Sequence, residues 1–165
     1  MSKRRIAVNN INKSALAIIA GKNLNLLEII SNEFADQGYD ISLVYSTNHR
    51  KANNIKQQIT KKRKRCLIIE GDFKNKDFYK ESIETTILNL GSLDMIVNGI
   101  SVHIENSINK GFISLKKFKE DYYQPSIAYS KYAASIFDPK ITPIVNISPN
   151  WDKIKERDKF NNDNN

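Results

Sequence analysis

Ala15-Leu16-Ala17-Ile18-Ile19-Ala20-Gly21 is an unbroken apolar run closed by glycine. A strand with one wet face alternates apolar and polar residues, so a continuous run reads as a strand buried on both faces, the setting of a parallel sheet covered by helices. Residues 24–37 follow with Leu26, Leu27, Ile30 and Phe34 at spacings of three and four, which makes one apolar helical face. Gly38 stands where a left-handed helix end is expected. The opening unit is strand, then helix.

The unit recurs along the chain. Residues 40–46 carry Ile41, Leu43, Val44 and Tyr45 as a second strand, and 48–60 form a polar helix with a narrow contact at Ile55 and Ile59. Residues 66–70 are the third strand, 78–90 a helix stopped at Gly91, and 93–98 the fourth strand. After a loop through His103 and Gly111, 115–137 reads as a long helix interrupted near Pro125, and 142–147 as the fifth strand. Such alternation predicts the α/β class: a Rossmann-like, doubly wound parallel sheet of about five strands, order 3-2-1-4-5, with helices on both faces. In such sheets the ligand crevice lies at the carboxyl ends of the strands where the order reverses, here between the first and fourth.

A chain of 165 residues with 40% hydrophobic content can bury one core and not two. The expected division is a flexible basic arm over 1–14, one domain over 15–150, and a partly disordered segment over 151–165, where Trp151 and Phe160 could pack back or meet a partner. Cys66 is the single cysteine and reads as a small core residue. With no secretion-like opening segment, a cytoplasmic setting is expected. No apolar run approaches the roughly 20 residues of a membrane-spanning helix, so no membrane partner is expected. The net charge of +8 gathers partly in Lys61-Lys62-Arg63-Lys64-Arg65 and in Lys3, Arg4 and Arg5, which raises nucleic acid as a partner. Solvated faces in an Asn-, Lys- and Ile-rich composition are the preferred reading. His49 and His103 are the only histidines and have no partners at metal-ligand spacing, and no Gly-x-Ser-x-Gly is present.

Four strand ends carry a resemblance: Ala20-Gly21-Lys22-Asn23 after the first, Gly71-Asp72-Phe73 after the third, Ile96-Val97-Asn98-Gly99 at the fourth, and Ile144-Val145-Asn146-Ile147-Ser148 at the fifth. In this order they resemble the short-chain dehydrogenase/reductase family over 15–149, about the amino-terminal half of a typical member. The resemblance implies a cofactor-binding set of Gly21, Lys22, Asn23, Asn25, Ser46, Arg50, Asp72, Asn98 and Gly99. The family's phosphate loop uses three glycines for a tight turn, close backbone approach and helix packing. Here only Gly21 stands, with Asn25 and Leu27 at or near the other two positions, so either the pyrophosphate path is crowded or the turn is packed and Leu27 enlarges the core. Ser46-Thr47-Asn48-His49-Arg50 lacks an acidic residue for a ribose 2′-hydroxyl, while Arg50 and Lys51 could receive a 2′-phosphate, so NADP(H) is the expected dinucleotide. The alternative is that Ser46 or Asn48 caps the helix and Arg50 is solvated. Asp72 corresponds to the family residue near the adenine. Asn98 opens a stretch that departs to Gly99-Ile100-Ser101, and equally reads as a strand-end tie.

The family reduces carbonyls with a tyrosine, a lysine four residues later that lowers its pKa, a serine, and an asparagine from the long helix. An ordinary tyrosine, with a pKa near 10, needs that lysine to move protons near neutrality. No Tyr-x-x-x-Lys occurs in the sequence. Tyr129-Ser130-Lys131-Tyr132 has the wrong spacing and reads as helix surface. The serine position falls on Pro149 beside Ser148, and the asparagine position falls in Tyr122-Tyr123-Gln124. No catalytic residue is therefore assigned. The leading expectation is a truncated, degenerate relative acting as a binding or interaction protein, and a homo-oligomer through helix 115–137 or the sheet edge beyond the fifth strand. One alternative is an NADP(H)-dependent oxidoreductase drawing its proton from Tyr122, Tyr123 or Tyr129; another is nucleic-acid binding through the basic runs.

Overall fold

The computed structural model describes residues 14–18, 24–100, 114–138 and 140–147. Of the expected arm, 1–13 lie outside them, whereas Ser14 belongs to the first strand, pairing with Asp40; the carboxyl-terminal segment 151–165 lies outside as well. In chain order the elements are β1 (Ser14–Ile18), α1 (Leu24–Asp36), β2 (Asp40–Tyr45), α2 (His49–Lys61), β3 (Cys66–Glu70), α3 (Lys76–Leu90), β4 (Met95–Asn98), α4 (Leu115–Phe118), a π-helical turn (Lys119–Tyr123), α5 (Gln124–Ile136) and β5 (Ile144–Asn146). The sheet runs β3-β2-β1-β4-β5 with every pair parallel, the order expected from the sequence.

Alternate residues of β2 face opposite sides of the sheet. Ile41, Leu43 and Tyr45 join Leu24, Leu27, Ala35, Ala52, Ile55, Ile59 and Cys66 under α1 and α2. Val44 joins Ile69, Phe73, Phe78, Ile83, Ile96 and Tyr129 under α3 and α5. All of β2 is buried, as a central parallel strand requires. The buried stripe of α1 is rotated from the expected one: Leu24, Leu27, Ser31 and Ala35 face the sheet, and Leu26, Ile30 and Phe34 flank it. Small side chains at 31 and 35 let the helix settle on that line.

Local chemistry sets the element ends. Gly38 and Gly91 adopt φ +97 and +91 behind α1 and α3, a region open to glycine at no steric cost. The Asn48 side chain accepts from the Lys51 N–H at 3.1 Å and the Asn75 side chain from the Asp77 N–H at 3.0 Å, so each helix starts on a cap. The long helix is interrupted ahead of Pro125. Proline cannot donate to the carbonyl four residues back and its ring crowds that carbonyl. The turn opens to i→i−5 pairing, with the Gln124 N–H bonding the Lys119 carbonyl.

At the amino ends of the strands Arg65 acts as a clamp. Its backbone N–H and Nε donate to the nearly buried Asp40 carboxylate at 2.8 and 2.7 Å, and its guanidinium donates to the Leu90 carbonyl at 2.8 Å, at the end of α3. Lys62 pairs with Asp36 at 2.6 Å. Two members of the basic run are thus engaged internally, at the end of the sheet away from the crevice. Cys66 opens β3, and burial pushes its thiol up to about 12. No helix among the described residues is long and apolar enough to cross a membrane.

Candidate functional site

A cleft of about 160 Å³ opens at the carboxyl ends of β2, β3 and β4, lined by Ser46, Asp72, Phe73, Lys74, Ile100, Asp121 and Tyr122. It lies closer to β3 than to the β1–β4 boundary, whose flanking residues 19–23 and 101–113 lie outside the described residues. Lys74 Nζ reaches Asp121 Oδ1 at 2.6 Å across the mouth, and this bond holds the Lys74 ammonium above its ordinary value.

The β3 loop is shaped by its aromatic packing. Gly71 faces the ring of Phe78 so closely that an added Cβ would stand 2.2 Å from it. Phe73 meets Phe78 edge to face at 5.4 Å, and its carbonyl accepts the Tyr79 hydroxyl at 2.6 Å. Asp72 Oδ1 accepts the Lys74 N–H at 2.9 Å, which turns the loop and leaves the carboxylate exposed at the cleft. Across the cleft Tyr122 stacks with Phe118 at 6.2 Å, and burial raises its hydroxyl above the usual tyrosine range.

The carboxyl end of β2 holds a cluster that the sequence reading passed over. The Tyr45 hydroxyl lies 2.5 Å from His49 Nδ1 and donates to Glu70 Oε2 at 3.2 Å; His49 Nδ1 is also 3.2 Å from Glu70 Oε2. Burial, then the Glu70 carboxylate, pushes the Tyr45 hydroxyl up to about 12. The sequence offers only the four-residue spacing of Tyr45 and His49; Glu70 joins them through its in-register pairing with Tyr45 in the sheet. Arg50 is exposed beside this cluster, whereas Lys51 is held in an ion pair by Glu28, whose carboxyl is lowered by the hydrogen bonds from Lys51 and Gln58.

Asn98 is fully buried at the end of β4. Its Nδ2 reaches the Ser126 carbonyl at 2.8 Å, Ser130 Oγ at 2.7 Å and Asn146 Oδ1 at 3.0 Å, and its Oδ1 accepts the Ile100 N–H at 3.2 Å and the Ser126 hydroxyl at 3.3 Å. Strand β4, helix α5 and strand β5 are tied at this side chain. Gly99 is buried beside it, and Asn25 stands exposed in the first turn of α1. Leu27 is fully buried under that helix. Gly21, Lys22 and Asn23 lie outside the described residues, as do His103, Ser148 and Pro149.

Tyr129-Ser130-Lys131-Tyr132, expected as helix surface, is exposed only at Lys131. Tyr129 is completely buried, bonds Ser82 Oγ at 2.9 Å, and packs on Tyr79 and Phe73 at 5.2 and 6.4 Å. Pro125 and the π-helical turn set the phase of α5 so that position 129 faces α3 rather than solvent. Burial raises the Tyr129 hydroxyl above the usual tyrosine range, and the side chain is closed off from the cleft. Of the three tyrosines considered as donors, Tyr122 alone lines the cleft, and its acidity is weakened rather than strengthened.

Residues 15–135 match the family model described as short chain dehydrogenase. Among curated proteins the chain is similar to General stress protein 39 of Bacillus subtilis, 29% identical over 143 residues covering 81% of this chain and 50% of that protein. It is also similar to the uncharacterized oxidoreductase YhdF of the same organism, 32% identical over 58% of this chain and 34% of that protein. The chain thus spans half the length of the first relative and about a third of the second. Among solved structures, a short chain dehydrogenase from Mycobacterium thermoresistibile superposes with TM-score 0.65 at 21% identity, covering 84% of this chain and 52% of that one. A blue fluorescent protein from a metagenomic library, solved with NADPH, gives 0.58 at 18%, covering 84% and 56%. At these identities the structural likeness shows the fold.

Proposed function

We propose, on the premise that this chain belongs to the short chain dehydrogenase family, that it is a nucleotide-binding member without reductase chemistry of its own. Its curated relatives include oxidoreductases. The carrying observation is the contrast between the two sides of the crevice. The side made by β2, β3 and the π-helical turn is an open, polar-rimmed cleft. On the α5 side, Asn98, Ser126, Ser130 and Tyr129 are consumed by bonds to one another and to the packing. Proton transfer to a bound carbonyl needs a hydroxyl within hydrogen-bond reach and a pKa drawn toward neutrality. The described tyrosines with shifted values move the other way.

The ligand class is an NAD(P)(H)-type nucleotide. Arg50 supports a 2′-phosphate, so NADP(H) remains the dinucleotide of this reading, while Lys51 is committed to Glu28. The same reading includes self-association: Ile136, Ile141 and Val145 stand 50, 70 and 45% exposed around β5, which lies at an edge of the sheet.

Titration of the purified chain with NADPH, followed by fluorescence or calorimetry, tests binding. Incubation with NADPH and a panel of aldehydes and ketones tests chemistry. Saturable binding without turnover is expected. Carbonyl reduction by the chain alone defeats the non-catalytic half of the reading, and silence toward every nucleotide defeats the binding half.

A further inference from the structure

We infer, resting on the self-association part of the reading above, that two copies of the chain join edge to edge: β5 pairs antiparallel with β5 of a second copy about a two-fold axis at Val145, and the two sheets become one. The first support is where the backbone groups of β5 point. In a parallel pair, alternate residues turn their N–H and C=O groups toward the neighbouring strand. The Pro143 carbonyl accepts the Ile96 N–H at 3.0 Å and the Ile147 N–H donates to the Asn98 carbonyl at 2.8 Å, so the odd positions of β5 face β4. Ile144 and Asn146 therefore turn theirs to the open edge of the sheet. An antiparallel copy centred on Val145 sets Ile144 opposite the second copy's Asn146, and Asn146 opposite its Ile144. Each is a pair of the hydrogen-bonded kind that exchanges two bonds, so the outward groups of both residues are satisfied at once.

The second support is what the edge lacks. Exposed edge strands are commonly guarded by charge, proline or a bulge. Positions 141–147 hold no charged residue. Pro143 faces β4, so its missing N–H falls on the paired side and leaves the open side intact. The opposite edge of the sheet is different, because β3 follows the Arg65 clamp and ends on the exposed Glu70. A contact of β5 with β3 would add copies head to tail without limit, and those charges stand against it. The two-fold contact closes at two.

The third support is the face that Val145 presents. It pairs in register with Val97, and Val97 with Ala17, whose other neighbour Leu43 packs under α1 and α2. Those helices lie chiefly over β1, β2 and β3, and Val145 is left 45% exposed. At the axis the two valines form the closer, non-hydrogen-bonded kind of pair, with Cα atoms about 4.5 Å apart, so each covers the other. Three residues on each side make a small contact, and the expected dissociation constant is roughly 1–100 µM.

Sedimentation equilibrium of the full chain, from about 1 to 300 µM, tests this. The mass should level at twice the 18.9 kDa of one chain. Val145→Lys brings two ammonium groups together at the axis and should weaken association by more than about tenfold; the position is exposed in the single chain, so folding is kept. Val145→Cys should close a disulfide between copies under mild oxidation, because the expected Cα separation suits one, while Ile141→Cys, more exposed but four residues from the axis, should not. Cys66 is buried and stays out of the reaction. A dimer that Val145→Lys leaves as tight as before, or that Val145→Cys fails to link, overturns the edge pairing and leaves self-association standing. So does a mass that climbs past two chains without levelling. A single-chain mass at every concentration overturns both.

Discussion

Replacing Asn98 by alanine is expected to cost stability out of proportion to the five atoms removed. The loss falls unevenly on its partners. Ser130 Oγ and Asn146 Oδ1 keep their own 2.6 Å bond and sit where water can reach them, so they add little. The Ile100 N–H loses its 3.2 Å acceptor and the Ser126 hydroxyl its 3.3 Å acceptor, and both residues are buried. A buried polar group left without a partner costs about 1–3 kcal/mol, so two of them give about 4 kcal/mol as a central value. For a domain of this size each kcal/mol shifts Tm by about 2–4 °C, which places the midpoint some 8–16 °C lower. Asn146→Ala is the control. Its side chain belongs to the same cluster but the residue is exposed, so it should cost under about 1 kcal/mol. Urea unfolding followed by circular dichroism, with the m-value checked for constancy, reads both variants. Equal losses in the two, or a loss below about 1 kcal/mol for Asn98→Ala, would refute the assignment of Asn98 as a buried tie.

Arg65→Ala leaves the Asp40 carboxylate with a single backbone donor; because Arg65 is about half exposed and water can enter, the expected cost is about 2 kcal/mol, and Asp40→Asn in the same chain should recover part of it in a double-mutant cycle. Gly71→Ala drives a methyl group into the Phe78 ring, so a loss of about 1–3 kcal/mol is expected, together with weaker nucleotide binding because the Asp72–Phe73 wall must shift; calorimetric affinity unchanged at normal stability would contradict it. The Glu28 carboxyl is lowered in the fold, so its contribution is fully present above the unfolded value near 4.3 and fades as pH falls through the folded value; Lys51→Ala should flatten that acid limb by about 1 kcal/mol or less in denaturation series between pH 7 and 3.

Much of the fold was readable because the sheet is buried on both faces and each strand is therefore written as an apolar run. The strand order and the ends of α1 and α3 at Gly38 and Gly91 came from that pattern and from glycine chemistry. The errors have physical causes. Side-chain size puts the stripe of α1 on its largest residues, whereas the close approach is made at Ser31 and Ala35. A period of 3.6 puts Tyr129 at the surface, whereas an i→i−5 turn, invisible to that period, rotates everything after it. The Tyr45–His49–Glu70 cluster joins residues from two strands and a helix, and pairing register is a tertiary fact. The basic run looked like one patch, yet Lys62 and Arg65 are spent on Asp36 and Asp40. Asn98 carried two readings from the outset, cofactor contact and strand tie; the tie is formed, while a cofactor role is a matter for the titrations above.

The lone thiol offers a built-in reporter. Cys66 begins β3, an edge strand of the sheet, and its sulfur is buried and held protonated. Alkylating reagents attack thiolates, so the folded chain is silent to them near neutrality. Labelling must wait for β3 to peel away, and the rate of modification becomes a clock for that local opening. Since β3 runs directly into Gly71 and Asp72, a ligand seated in the cleft slows the clock, and a mass spectrometer can follow occupancy with no chromophore and no introduced tag.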